Sequence, residues 1–391
     1  MLPWHVWLLD KEDPPAESFI DGMLADELPR RRIARAILLV SRSGKGAQRP
    51  HAYGRAVCLP LLWRRRGVGR LFNAVLGWWF LHRLQARATA RGRPMAVFAR
   101  NEPTYLLAAV CHRPRATPRI FQQTFPHERH SGHALTRLVA RGLLRLGCPR
   151  VDGLLAVSPL GLARLRGYGP TRVRGEVIPL LAARGERVAA TGATAMPLEF
   201  VYAGTHAPAR QLERVIEGMV QAVRSGVNAR FTFIGGTAAE QARLLEVPGA
   251  AELKARGVLV LRGPVPRSQL VHELPAYHVG LSLIPPNTAY REASPTKLAE
   301  YMGAGLAVLA TRGISLQEQF VTASGAGRLV NYSATAIAEG IRATVAEGPE
   351  GVATQRRAAL LYAATALDYG RFIPVLEGWA PLRRGAEADY S

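Results

Sequence analysis

Cysteine is scarce in this chain of 391 residues: Cys58, Cys111 and Cys148 are odd in number and share no metal-ligand spacing. That excludes a disulfide scaffold and points to a reduced, cytosolic setting. A bilayer-spanning run is missing as well. The stretch LFNAVLGWWFLH (71–82) is about a dozen residues long, where a span needs about 20. The opening MLPWHVWLLD has neither a basic start nor a small-residue cleavage site, and Asp10 ends its apolar run. It reads as a first buried strand. Acid is absent altogether between Glu27 and Glu102, an interval that holds 17 basic residues.

What is present describes an ordinary globular protein, with 48% hydrophobic and 20% charged residues. The length suits two domains at roughly 100–200 residues each. Net charge is +22 and very uneven: residues 1–190 carry 32 Lys and Arg against 12 Asp and Glu, and the remainder 19 against 17. Such a field predicts an anionic partner for the first half only.

The second half alternates short apolar runs with helical patterns. LEFVYAG (198–204), RFTFIGG (230–236), VLVLRG (258–263), HVGLSLIP (278–285) and LAVLAT (306–311) read as strands buried on both faces. Between the first two, Leu212, Val215, Ile216, Met219, Val220 and Val223 recur at helical spacing. The first half repeats the rhythm at HVWLLD (5–10), ARAILLV (34–40), PMAVFAR (94–100), RIFQQTF (119–125), GLLAVS (153–158) and GEVIPLL (175–181). A Gly/Ala/Thr-rich bridge at 182–197 separates the halves. The expectation is an α/β protein of two doubly wound domains, 1–185 and 195–365, facing a central cleft. Residues 366–391 form a C-terminal helix placed to cross back to the first domain. In open sheets of this kind ligands gather beyond the carboxyl ends of the strands.

The segment REASPTKLAEYMGAGLAVLAT (291–311) carries the chemistry. Ser294 and Pro295 predict a helix start, with Ser294 as the cap and Pro295 at the first helical position; Gly303 and Gly305 suit its end. The first N–H groups of such a helix and its positive pole form an anion cradle, to which Lys297 adds a point charge. Glu292 and Glu300, on either side, are acceptor-only groups able to take two hydrogen bonds from vicinal hydroxyls. A diphosphate between two polyols is a nucleotide sugar.

Glu292 to Glu300 resembles the E-x7-E motif of the retaining GT-B glycosyltransferases of family four, in the subgroup reading Ser-Pro-x-Lys-x-x-Glu-Tyr-Met. GAGLAVLAT is similar to that family's AAGxPVVAT. VYAGTHAPARQLERVIEGM and VLVLRGPVPRSQL resemble its diphosphate loop and the strand that follows. The likeness covers about residues 198–348, and more weakly ARNEP, IFQQTFPHE, LLAVS and VIPLL in the first half. It implies two Rossmann-like domains, with donor on the second and acceptor on the first. It implies Arg210 as the phosphate clamp, the backbone at Ser294 and Thr296 around the diphosphate, Glu292 near the donor sugar and Glu300 on the ribose. Among His127, His130 and His133, it favours His127 as the catalytic histidine after a middle strand. Two departures stand out. Thr205 occupies a place where the family often has arginine, a role we assign to Lys297, and DKEDPPAESF (10–19) replaces the first-domain Gly-Gly loop.

The basic segment LLWRRRGVGRLFNAVLGWWFLHRLQARATARGR (61–93) sets Trp78, Trp79, Phe72 and Phe80 among arginines that include Arg64, Arg65 and Arg66. That is the pattern of a helix lying in an anionic membrane interface. Without a recognisable nucleic-acid module, no nucleic-acid partner is expected. The sequence therefore predicts a metal-independent hexosyltransferase, peripheral on the inner membrane face, with an NDP-sugar donor and a glycan or lipid-linked acceptor. Envelope or exopolysaccharide assembly is the expected pathway, and no cofactor is expected beyond the donor. The alternatives are a nucleotide-sugar epimerase or hydrolase on the same frame, and a non-enzymatic basic protein binding lipid or RNA.

Overall fold

The computed structural model describes the chain except for residues 1, 14, 16, 45–48, 64–68, 113, 115, 131–132, 170–171, 184–193, 289 and 380–391. Arg64 to Arg66, most of the Gly/Ala/Thr-rich bridge and the end of the expected C-terminal helix lie outside the described residues. Two compact units emerge. One contains residues up to Pro179 together with the segment from Tyr369, and the other runs from Leu180 to Asp368.

The first unit is built on strands β1 (Trp4–Glu12), β2 (Ala36–Arg42), β3 (His51–Tyr53), β4 (Ala56–Leu62), β5 (Met95–Arg100), β6 (Arg119–Gln123), β7 (Gly153–Ala156) and β8 (Arg174–Val177). Their order is β3-β4-β2-β1-β5-β6-β7-β8, parallel throughout except that β3 runs against β4 at the edge. The apolar opening of the chain becomes a central strand. Trp7 lies directly opposite Phe98 on β5, and their rings stack at 4.2 Å. The chain returns to this unit after the second: Tyr369 meets Phe19 edge-on at 5.9 Å, and Arg174 covers the Trp379 ring at 4.8 Å. This returning segment is a short 3₁₀ turn, Tyr369–Phe372, and a helical turn, Ile373–Glu377.

The second unit carries β9 (Leu198–Ala203), β10 (Ala229–Ile234), β11 (Leu259–Arg262), β12 (Val279–Ser282), β13 (Ala307–Thr311) and β14 (Gly327–Val330). The sheet is parallel in the order β11-β10-β9-β12-β13-β14. Within this unit that is 3-2-1-4-5-6, the doubly wound dinucleotide-fold order, which reverses between β9 and β12. The helix Glu213–Arg224 buries Val215, Ile216, Met219 and Val220, so the 3.6-residue pattern seen in the sequence is its core face.

In the first unit the strand order reverses between β1 and β5, and a buried ion pair fills the carboxyl end of that boundary. Arg100, at the end of β5 and 1% exposed, donates to both carboxylate oxygens of Glu17 and, through Nε, to Gln122 at 2.9 Å. Lys11 adds a contact to Glu17 at 3.1 Å. Burial alone would raise the Glu17 pKa, but Arg100 and Lys11 overcome it and hold the carboxyl down at about 2. A depressed carboxylate stabilises the fold in full above its unfolded pKa, near 4.5, and loses that contribution as pH falls toward 2. Glu17→Gln leaves the Arg100 guanidinium buried beside neutral partners, and the expected loss near neutral pH is about 3–5 kcal/mol. Urea melts of both proteins should converge as the pH is lowered below the unfolded value. A gap that stays constant down to the acid limit would rule out this pair as a source of acid sensitivity.

Candidate functional site

The boundary between β9 and β12 places two loops together at the carboxyl edge of the second sheet: Gly204 onward after β9, and 283–295 after β12, leading into the helix Thr296–Gly303. Tyr301 locks that helix to the sheet. Its buried hydroxyl accepts from Ala203 N at 2.8 Å, and its ring lies on Gly280, where a Cβ would come within 2.3 Å of the ring. Behind the loop, Ser282 Oγ bonds Gln317 at 2.6 Å and Ile284 N donates to Thr311 Oγ1 at 3.0 Å. The helix end is held through Gly305 O, which accepts from Arg356 Nε at 2.9 Å.

Lys297, one residue into this helix, crosses back to the β9 turn. Its Nζ donates to the Tyr202 hydroxyl at 3.0 Å and sits 4.3 Å from that ring's centroid. Tyr202 spends its own proton on Thr205 O at 3.1 Å, so it accepts from the ammonium. Gly204 has φ +145, and a Cβ there would stand 2.1 Å from Lys297 Nζ; the lysine occupies space that only glycine leaves open. Removal from water, and then the neighbouring Arg210 charge, lower the Lys297 pKa to about 7 against the opposing pull of Glu300. Arg210 closes the 3₁₀ turn Pro208–Arg210, with its guanidinium 4.7 Å from the Tyr290 ring centroid and its carbonyl accepting from Tyr332 Oη at 2.7 Å. Two cations and the first amides of a helix thus converge on one sheet edge, an arrangement suited to a polyanion.

Glu292 lies buried on the loop before the helix. Glu300, on the helix and half-buried, is paired with Arg267 at 2.6 Å, an arginine that follows β11. Ser294 departs from its expected role. The helix begins at Thr296 with Pro295 in the cap position and no side-chain cap bond. Ser294 Oγ instead accepts from Leu180 N at 2.8 Å and donates to Leu180 O at 3.3 Å. The physical reason is the partnering of a backbone that enters the second unit at Leu180: its N–H and C=O need bonds, and the hydroxyl satisfies both. Thr296 becomes the first helical residue. His127 belongs to the other unit, just beyond β6; it is exposed and meets the Phe125 ring edge-on at 5.1 Å.

Several contributors escaped sequence reasoning. Tyr202 on β9, Tyr301 in the Glu-Tyr-Met of the motif and Arg267, which opens the helix Arg267–Glu273, lie in stretches that the sequence marks without giving these side chains a role. His206, fully buried in the β9 turn, has neither ring nitrogen hydrogen-bonded; burial first of all lowers its pKa to about 4, so it is neutral at physiological pH. A Cβ on Gly236 would strike its ring, and the Gly235-Gly236 pair therefore serves packing of this turn.

The fold is that of GT-B glycosyltransferases. The chain superposes on the sucrose-phosphate synthase of Thermosynechococcus elongatus with a TM-score of 0.67, 14% identity and coverage of 96% of this chain and 97% of that one. A trehalose-6-phosphate protein of E. coli bound with UDP-2-fluoro glucose gives 0.69, 13% identity and coverage of 96% and 98%. WaaG, a glycosyltransferase involved in lipopolysaccharide biosynthesis, gives 0.64, 15% identity and coverage of 95% and 98%. No protein-family model matches the sequence, and no curated protein matches it.

An anion bound against Lys297 requires the ammonium, so binding above the free-site pKa must take up a proton. Affinity for UDP-glucose, whose diphosphate has no group titrating in this range, followed by calorimetry, should be flat below about pH 7 and fall by up to about tenfold per pH unit above it. Lys297→Met should bind more weakly and lose that slope. Parallel pH profiles for the two proteins would remove Lys297 from the anion site.

Proposed function

We propose that this protein is a retaining glycosyltransferase that moves a hexose-type sugar from a nucleoside diphosphate to a glycan or lipid-linked acceptor. The observation that carries the reading is the convergence of Lys297, Arg210 and the N-terminus of helix Thr296–Gly303 at the β9–β12 boundary, with Glu292 and Glu300 as carboxylates on either side. In this reading the two cations and the amides near Thr296 grip the diphosphate. Glu300, oriented by Arg267, receives the ribose, and Glu292 receives hydroxyls of the donor sugar.

The reaction breaks the bond between the anomeric carbon and the diphosphate oxygen and forms one from that carbon to the acceptor oxygen on the same face. The acceptor proton goes to the departing diphosphate. Stabilising charge on that leaving group is the main catalytic task, and aimed cations with N–H donors supply it. No step calls for a metal. His127, on the first unit, is assigned to the acceptor side of the reaction. Incubation with a panel of UDP- and GDP-sugars and acceptors should release nucleotide, with the product anomer matching the donor by NMR. Lys297→Met should lower turnover by about a hundredfold or more, the usual loss for a group that meets developing charge, and Glu292→Gln, which weakens the hold on the sugar hydroxyls, should lower it by about tenfold or more. Failure to bind or turn over any donor in the panel would overturn the assignment.

The acceptor side favours a membrane surface. Among the described residues no helix is long and apolar enough to cross a membrane. The helix Gly69–Ala90 buries Asn73, Ala74, Gly77, Leu81, Leu84 and Ala88 and turns Leu71, Phe72, Val75, Trp78 and Trp79 outward. A second helix, Ala134–Gly147, buries only Leu144 and Gly147. It exposes Leu135 (72%), Leu138 (65%) and Val139 between Arg137, Arg141 and Arg145. Both pack against the helix Pro103–Cys111. Apolar side chains outward, with arginines among them, suit insertion at an anionic headgroup layer on the inner face of a membrane. In flotation assays the protein should rise with vesicles containing about 30% anionic lipid and stay behind with neutral ones. Trp78→Ser/Trp79→Ser and Leu135→Ser/Leu138→Ser should each weaken flotation, by severalfold on the scale of about 0.8 kcal/mol per buried CH₂. Equal flotation of all variants would place the contact elsewhere.

A further inference from the structure

The open edge of the first sheet brings together three side chains that lie far apart in sequence. His51 on β3 and Cys58 on β4 are directly opposed in the antiparallel pair, so their side chains share one face. Asp13 follows β1 and is held against β2 by its N–H, which donates to Arg42 O at 2.9 Å. Cys58 Sγ donates to Asp13 Oδ1 at 2.9 Å, and His51 Nε2 stands 3.5 Å from the same carboxylate oxygen. One ligand atom from each residue lies within 4.8 Å of the others.

Two further features make this more than a polar cluster. His51 Nδ1 lies 3.2 Å from Arg49 O, a backbone acceptor that holds the ring in place, and in the neutral imidazole with its proton on Nδ1 the Nε2 lone pair is available to a metal. Nε2 faces Asp13 Oδ1 and Cys58 Sγ, the other two atoms able to ligate. Ser41 Oγ is 3.3 Å from Cys58 Sγ and stands ready to support a thiolate from outside the ligand set. Cys58 is fully buried, while the His51 side chain retains 35% exposure, which gives an ion a way in from solvent.

We propose that Asp13, His51 and Cys58 form a binding site for a zinc-type divalent cation, with water in the fourth position. A mixed thiolate, imidazole and carboxylate set selects a borderline-soft ion with tetrahedral preference over calcium or magnesium, which take oxygen ligands. Ligand atoms about 2.0–2.3 Å from such an ion lie roughly 3.3–3.8 Å from one another; the His51–Asp13 separation of 3.5 Å falls in that range, and the Cys58–Asp13 separation of 2.9 Å must open by a few tenths of an ångström once the thiol proton is gone. Binding forms three protein–metal bonds and releases the Cys58 thiol proton to solvent. The ion would tie the segment after β1 to the hairpin β3–β4, within the first unit. Its residues are separate from the Lys297–Arg210 set on the second unit, so the sugar-transfer reading and this one stand or fall independently.

The test uses the full-length protein stripped with chelator and titrated with zinc against a chromogenic chelator, then with cobalt(II). The expected result is one saturable equivalent, a rise in thermal midpoint, and a near-ultraviolet thiolate-to-cobalt band. Cys58→Ser should remove the band, and Cys111→Ser should leave it unchanged. His51→Gln, at a half-exposed position that leaves the metal-free fold intact, should weaken binding by about tenfold or more. Absence of a saturable equivalent in the wild-type chain, or equal affinity in His51→Gln, would overturn the site.

Discussion

The second unit depends on one contact: a helix clamped across the place where its sheet changes direction. Tyr301 spans from β12, where Gly280 leaves room for its ring, to the backbone of β9 at Ala203. With the helix so fixed, Lys297 has a single place to go, under Tyr202 and against Gly204. A free lysine in water would hold its proton to about pH 10. Here the ammonium is kept from water and beside Arg210, a difference of roughly 4–5 kcal/mol between its two protonation states. The fold meets that cost because packing elsewhere sets the helix position. A polyanion bound as proposed would offset it, since an opposite charge at this point outweighs the repulsion from Arg210 and compensates the lost hydration.

The same architecture uses the equivalent boundary of the first unit differently. Between β1 and β5 the strand-end cation, Arg100, is already neutralised by Glu17 and is 1% exposed. A guanidinium with its carboxylate in place has nothing to offer a phosphate. One sheet boundary therefore presents uncompensated positive charge and the other stores a completed ion pair.

Long apolar runs were legible because parallel strands covered on both faces need them: every strand expected in the second half is present, four of the five within two residues at each end, while HVGLSLIP ends three residues early at Ser282. Two of the four edge strands were not legible. β14, reading GRLV, and β3, reading HAY, are short and half-solvated, and no periodicity marks such strands. At the site, the anion helix and its flanking carboxylates could be read from Ser-Pro and spacing, but the cap could not, because Ser294 is claimed by the distant backbone of Leu180. Long-range partners of this kind leave no local trace. The Arg267–Glu300 pair and the Asp13, His51, Cys58 cluster have the same character, being assembled by topology from separate stretches of chain.

The distribution of positive charge then acquires a physical explanation. Most of the excess lies in the first half, on solvated arginines such as those of helices Gly69–Ala90 and Ala134–Gly147, whose reach in physiological salt is about 8 Å. Charge of that kind attracts any extended anionic surface and discriminates poorly. The second unit is nearly balanced overall, yet two cations there lie close enough to repel each other and one is withdrawn from water, where screening is weak. Specific recognition of a small polyanion needs few charges held in place, whereas adherence to a charged layer needs many that are loosely placed. A single net-charge value conceals both, and only their separation between the two units distinguishes the proposed donor site from the proposed docking face.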